Sequence, residues 1–197
     1  ESATALAAGG FEAPADGAFL EIECGGSSGR ILRFDRRGLV SFEIAVAPSA
    51  TGDLEERLGV AEDGDRYAAL CVHHAIPRFG PELGDDVLFN EAGLEEAVSW
   101  SKGCFPGQEP VVMARHRGRP PRLLVQLALA GDALPELGAH VLADGAEVGV
   151  ITSVAAGDGG PAAALAYVKH ALAEDGRTFE LAGGGQAVAH VPGAEQT

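Results

Sequence analysis

The 197-residue sequence is poor in cysteine (3), methionine (1), tryptophan (1) and aromatic residues generally (6%), and each scarcity excludes something. An odd set of three thiols, Cys24, Cys71 and Cys104, with no C-x-x-C spacing argues against a secreted disulfide framework and against a cysteine-rich zinc site. It points to a reducing compartment, the cytoplasm. Scattered aromatics give no base-stacking surface for single-stranded nucleic acid. Basic residues are also scarce: 14 Lys+Arg against 29 Asp+Glu leave a formal net charge of −15, which repels a nucleic-acid backbone at long range and excludes general DNA binding. No apolar run approaches the roughly 20 residues of a membrane-spanning helix. The stretch from Glu1 to Gly10 has neither a basic nor an apolar region and does not read as a signal peptide. No starting Met is present, and the reading taken from this is a processed product or a fragment whose missing N-terminal part matters to function.

What is present is a soluble, globular composition, with 46% hydrophobic and 22% charged residues. Glycine (28) and proline (11) punctuate short apolar runs, which predicts many short elements. Val40, Phe42, Ile44 and Val46 recur at period 2, as do Leu20, Ile22 and Cys24, and Arg30 to Asp35 fits between them as a third strand. Gly25 to Gly29 reads as a hairpin turn rather than a phosphate loop, because neither the Lys nor the following helix of a P-loop is there. Asp53 is placed to cap a helix carrying Leu54 and Leu58, and Arg66 to Ala75 reads as a second helix ending before Pro77. After Pro120-Pro121 the pattern changes to six short strands, Arg122 to Ala130, Ala139 to Ala143, Glu147 to Val154, Ala162 to Val168, Thr178 to Leu181 and Ala187 to Val191, which predict a small β-barrel. The division expected is residues 1–100, a signature loop and basic linker at 101–121, and the barrel at 122–197.

Chemistry gathers in Lys102-Gly103-Cys104-Phe105-Pro106-Gly107-Gln108-Glu109. A thiol in a glycine-flanked turn beside Lys102, and near Arg115 and Arg117, would have its thiolate favoured by positive charge, making Cys104 a nucleophile or a ligand. The plain alternative is an ordinary loop cysteine. Four arginines and a histidine crowd residues 115–122, a focus suited either to an anionic group such as an RNA phosphate or to a solvated linker paired with the chain's own carboxylates. The six histidines show no H-x-x-x-H or H-E-x-x-H spacing, so a zinc hydrolase and a metal centre are not expected.

Lys-Gly-Cys-Phe-x-Gly-Gln-Glu resembles the signature of the YgfZ group of folate-binding-like proteins, relatives of the glycine-cleavage T-protein. Ile76 to Leu83 is similar to the group's G-x-P-x-x-G-x-E segment, Glu91 to Leu94 to its E-x-x-L, and Arg117-Gly118 with Arg122-Leu123 to its R-G-x-x-x-R-x-L. Gly149 to Ser153 and Ala164 to Val168 resemble paired strands of the T-protein C-terminal domain. The resemblance implies an α+β fold: an α/β, ferredoxin-like segment of the T-protein folate-binding fold followed by a small C-terminal β-barrel.

The same resemblance implies an accessory factor in iron–sulfur cluster assembly or repair, with iron–sulfur enzymes or cluster-assembly proteins as partners. Cys104 is then the functional thiol and Lys102 tunes its charge, while Gly103 and Gly107 permit the turn. Phe105 completes the signature, and Gln108 and Glu109 fix the loop by hydrogen bonds. Tetrahydrofolate is the implied ligand, with His73, Arg115, Arg117 and Arg122 as folate- or anion-facing residues. Two departures weaken it: the group's further N-terminal region is missing here, and His73 stands where relatives carry a pterin-facing Glu. A folate-dependent aminomethyltransferase and a degenerate, non-catalytic interaction module are the alternatives.

Overall fold

The computed structural model describes residues 2–59, 63–131, 133–157 and 159–192, with the side chain of Arg117 outside the description. Two compact units divide at Gly64 and Asp65. Residues 65–121 group with the barrel.

The first unit holds helix α1 (Ser2–Ala8), an antiparallel meander of β1 (Phe19–Cys24), β2 (Ser27–Arg36) and β3 (Leu39–Ala45), and helix α2 (Thr51–Leu58). Both hairpins close through two residues at positive φ: Gly25 (57°) with Gly26 (75°), and Arg37 (48°) with Gly38 (78°). Such turns match the right-handed twist of the strands they join. One face of the sheet buries Cys24 and Ile31 with Leu6, Phe11 and Ala50, while Ile22, Phe42, Ile44 and Leu54 pack around them.

Asp53 is not the helix cap that the sequence suggested. It lies inside α2, and its Oδ2 accepts hydrogen bonds from the Gly25 N–H (3.0 Å) and the Cys24 thiol (3.1 Å), tying the helix to the first hairpin. Gly25 is required there twice over, since its φ is positive and a Cβ would lie 2.9 Å from Ala50. Arg57 completes the clamp: its Nε and Nη2 donate to the Gly9 carbonyl at 3.1 and 2.9 Å, and its guanidinium lies 4.0 Å from the Phe11 ring centroid.

The second unit carries helix α3 (Gly64–His73), helix α4 (Gln108–Arg117) and strands β4 (Arg122–Leu129), β5 (His140–Ala143), β6 (Ala146–Ala155), β7 (Ala163–Lys169), β8 (Thr178–Leu181) and β9 (Gln186–His190). The strands close into a barrel in the order β4-β7-β6-β5-β8-β9, all pairs antiparallel. Inward-facing Val125, Leu127, Val141, Ile151, Ala164, Ala166, Val168 and Phe179 fill it. Strand β7 is buried from Ala163 to Val168 because its other face is covered too: Leu165 and Tyr167, with Leu124, pack against Val72 and Ala75. A strand buried on both sides reads as a continuous apolar run rather than an alternating one. Gly149 on β6 lets β7 approach, as a Cβ there would meet the Tyr167 carbonyl at 2.5 Å. Gln126 of β4 fastens the end of α3, its Nε2 donating to the Val72 and His73 carbonyls at 2.8 and 2.6 Å. These are carbonyls a helix end leaves without an intrahelical partner.

Candidate functional site

The signature segment spans two kinds of structure. Residues 101–107 run as loop and turn, and at Gly107 the chain enters α4 with φ 84°, a left-handed conformation that favours glycine. Pro110 sits in the first helical turn, where its missing N–H would have had no partner in any case. Gln108 and Glu109 therefore open a helix rather than bracing a loop, and the basic stretch from Arg115 begins on that helix, not in a linker. Gly103 has an ordinary φ and open space around it, so Gly107 alone carries the conformational demand.

Cys104 is exposed and its thiol free, whereas Cys24 and Cys71 are 2% and 0% exposed. Among the described residues no hydrogen bond reaches the Cys104 Sγ. Lys102 turns to the neighbouring aromatic, with Nζ 4.3 Å from the Phe105 ring centroid, and Arg115 stacks at 4.3 Å on Trp100. Trp100 in turn meets Phe89 edge-on at 6.0 Å. A pocket of about 200 Å³ opens between residues 98–105 and α4, lined by Trp100, Lys102, Phe105, Val111, Arg115 and His116 among others. Cys104 is not part of its lining.

Two of the remaining expected ligand-facing residues, His73 and Arg122, are engaged elsewhere. His73 Nε2 lies 2.8 Å from the Ala156 carbonyl, which can only accept, so this nitrogen carries the proton. Arg122 is held by Glu91 at 3.3 Å and Asp86 at 3.8 Å, and it covers the Tyr167 ring at 4.7 Å. The side chain of Arg117 lies outside the described residues.

A buried polar cluster carries no counterpart among the residues singled out as functional. Glu82 is 2% exposed; its Oε1 accepts from Ser153 Oγ at 2.5 Å and its Oε2 from the Arg78 N–H at 3.0 Å. Tyr167 donates to the Glu82 carbonyl at 3.0 Å, and Arg78 Nη2 donates to Ser153 Oγ at 3.3 Å. Burial pushes the Tyr167 hydroxyl up to about 12, the nearby Arg122 guanidinium opposing it. The signal that could have found this cluster was the Glu of the P-x-x-G-x-E segment, a carboxylate in a turn whose burial depends on a serine 71 residues away. Among the described residues no group of three or more His, Cys, Asp or Glu is arranged to hold a metal ion, and no helix is long and apolar enough to cross a membrane.

The closed six-stranded barrel is the element that decides the comparison with known proteins. Residues 122–192 match the glycine cleavage T-protein C-terminal barrel domain. The aminomethyltransferase of Moorella thermoacetica is 37% identical over 117 residues, which cover 57% of this chain and 31% of that protein. The Streptomyces coelicolor aminomethyltransferase is 37% identical over 111 residues, 54% of this chain and 30% of that protein. In the solved structures, aminomethyltransferase T of Bartonella henselae superposes with a TM-score of 0.75 at 23% identity, covering 96% of this chain and 55% of that one. The fold is therefore the T-protein fold, α+β with a C-terminal barrel, and the chain spans about a third of the length of these curated relatives.

Proposed function

We propose that this T-protein-like chain serves as an accessory factor in iron–sulfur cluster assembly or repair in the cytoplasm, with Cys104 as its functional thiol. The observation that carries the reading is the exposure of Cys104 within Lys102–Glu109, on the loop that Gly107 turns into α4, while the other two thiols are buried. A thiol kept accessible can be reached by a protein partner or by a metal in transit; a buried one cannot.

Reduced folate fits this chain poorly. A pterin presents several N–H donors that a carboxylate could accept in pairs, and His73 offers a single acceptor, Nδ1, once Nε2 donates to Ala156. Arg122, one of the three arginines expected at an anion, already has two carboxylates.

A second reading, aminomethyl transfer, is favoured by the names of the relatives, which are aminomethyltransferases. The two readings separate in one experiment with the full-length protein. Purified protein is assayed for aminomethyl transfer to tetrahydrofolate, and the same gene is expressed in cells lacking their own accessory factor, where the activity of an iron–sulfur dehydratase is followed. The proposal expects no transfer, and restored dehydratase activity that Cys104→Ala abolishes. Transfer activity that survives Cys104→Ala would replace it with the transferase reading.

A further inference from the structure

We propose that the pocket between residues 98–105 and α4 binds a small carboxylate with a flat, apolar body. Its lining combines two features rarely placed together in so acidic a chain. Lys102 and Arg115 contribute positive charge, and no lining residue is an Asp or Glu, although acidic residues outnumber basic ones by 29 to 14 in the sequence. Among the described residues neither cation has a carboxylate within ion-pair distance. Each is instead laid over an aromatic ring, Lys102 on Phe105 and Arg115 on Trp100, both at 4.3 Å. Ring stacking restrains where a cation sits and uses none of its N–H donors, so those donors stay available to an incoming anion.

The apolar part of the lining sets the rest of the ligand. Trp100, Phe105 and Val111 stay wet if the occupant is inorganic phosphate, which is small and strongly hydrated. A neutral apolar occupant would instead strip water from two cations without offering either a partner, which is unfavourable. A carboxylate on a planar or branched hydrocarbon body satisfies both. At the packing density of organic solids, about 0.74, a 200 Å³ pocket holds roughly ten heavy atoms, the size of phenylacetate. The inference does not depend on the role of Cys104, which does not line the pocket.

Trp100 is the only tryptophan in the sequence, so tryptophan emission, excited at the red edge where the two tyrosines do not absorb, reports on this pocket alone. Titration of the full chain with phenylacetate is expected to change the emission saturably, with a Kd of about 1 mM or tighter, and the Kd should rise with salt as exposed charges are screened. Phenylacetamide, of the same shape without the charge, should bind at least about tenfold more weakly. Lys102→Gln, followed by fluorescence, and Arg115→Gln, followed by calorimetry because it alters the indole's surroundings, should each weaken phenylacetate several-fold. Thermal melting of both variants at the parent temperature shows that the fold is kept. Equal binding of phenylacetamide, no saturable change, unchanged affinity in both variants, or displacement of phenylacetate by equimolar inorganic phosphate would each overturn the proposal.

Discussion

The three cysteines offer a quantitative contrast within one molecule. Cys104 is exposed, whereas Cys71 (0% exposed) lies in α3 and Cys24 (2% exposed) in β1. Alkylation of either buried thiol requires an opening: α3 must leave the barrel wall where Val72 packs on Leu124, Leu165 and Tyr167, or β1 must part from the core of Leu6, Phe11 and Ile31. An opening that costs about 3 kcal/mol, well below the 5–15 kcal/mol of global unfolding, already slows labelling by about 100-fold. Cys24 carries a further handicap, because burial and the hydrogen bond to Asp53 push its thiol pKa up and reduce the reactive thiolate. Brief treatment with iodoacetamide near neutral pH, followed by peptide mapping, should therefore place nearly all label on Cys104. In denaturant the three should label at similar rates. Comparable native labelling of all three, or a protected Cys104, would refute the reasoning that exposure at the signature loop sets this thiol apart.

Glu82→Ala leaves the Arg78 N–H and the Ser153 hydroxyl without their acceptor, and at about 1–3 kcal/mol for each stranded group the urea midpoint should fall by the equivalent of about 2–6 kcal/mol. A loss below about 1 kcal/mol would mean that the cluster is solvated. Gly149→Ala drives a Cβ to within 2.5 Å of the Tyr167 carbonyl and should cost about 1–3 kcal/mol by forcing β6 and β7 apart; an unchanged melting temperature would contradict that close approach. Tyr167, at about 12 in the fold, stays protonated where an unfolded tyrosine ionises near 10, so the folded state binds more protons between these values and stability should fall as pH rises through that window. Tyr167→Phe should flatten that alkaline loss. The Asp53 carboxyl, held low chiefly by the Cys24 thiol and the Gly25 N–H, contributes stability above the ordinary carboxylate range and loses it as pH falls through its own depressed value. Asp53→Asn should shallow the acid limb of the stability curve.

Much of the fold was legible because short strands with turn residues between them carry their own pattern. Thr178 to Leu181 coincides with β8, and the other five barrel strands fall within a residue or two of their expected limits. Helix α4 was hidden for a local reason: Val111, Val112, Met113 and Ala114 form a run without helical periodicity, and Pro110 reads as a breaker although it sits where a first turn tolerates it. The grouping of residues 65–121 with the barrel was hidden for a non-local one. Val72 and Ala75 find their apolar partners on β4 and β7, far downstream. At the site, Cys104 was singled out by the resemblance of Lys102–Glu109 to a known signature, while residue types left an ordinary loop cysteine open, and the partners of the charged side chains were not legible. Lys102 lies on Phe105, Arg115 on Trp100 and Arg122 between two carboxylates, contacts that exist only once the loop and helix are placed. His73 read as ligand-facing from its place in a motif, while its hydrogen bond goes to the strand end at Ala156.

The claim that this T-protein fold works through an accessible thiol is tested most directly by a single substitution in cells. Cells lacking their own accessory factor receive the full-length gene as wild type, Cys104→Ala or Cys71→Ala at matched protein levels, and the specific activity of an iron–sulfur dehydratase is measured. Wild type and Cys71→Ala should restore the activity, and Cys104→Ala should leave it at the level of the empty vector. Full restoration by Cys104→Ala, with the protein folded and equally abundant, would contradict the account.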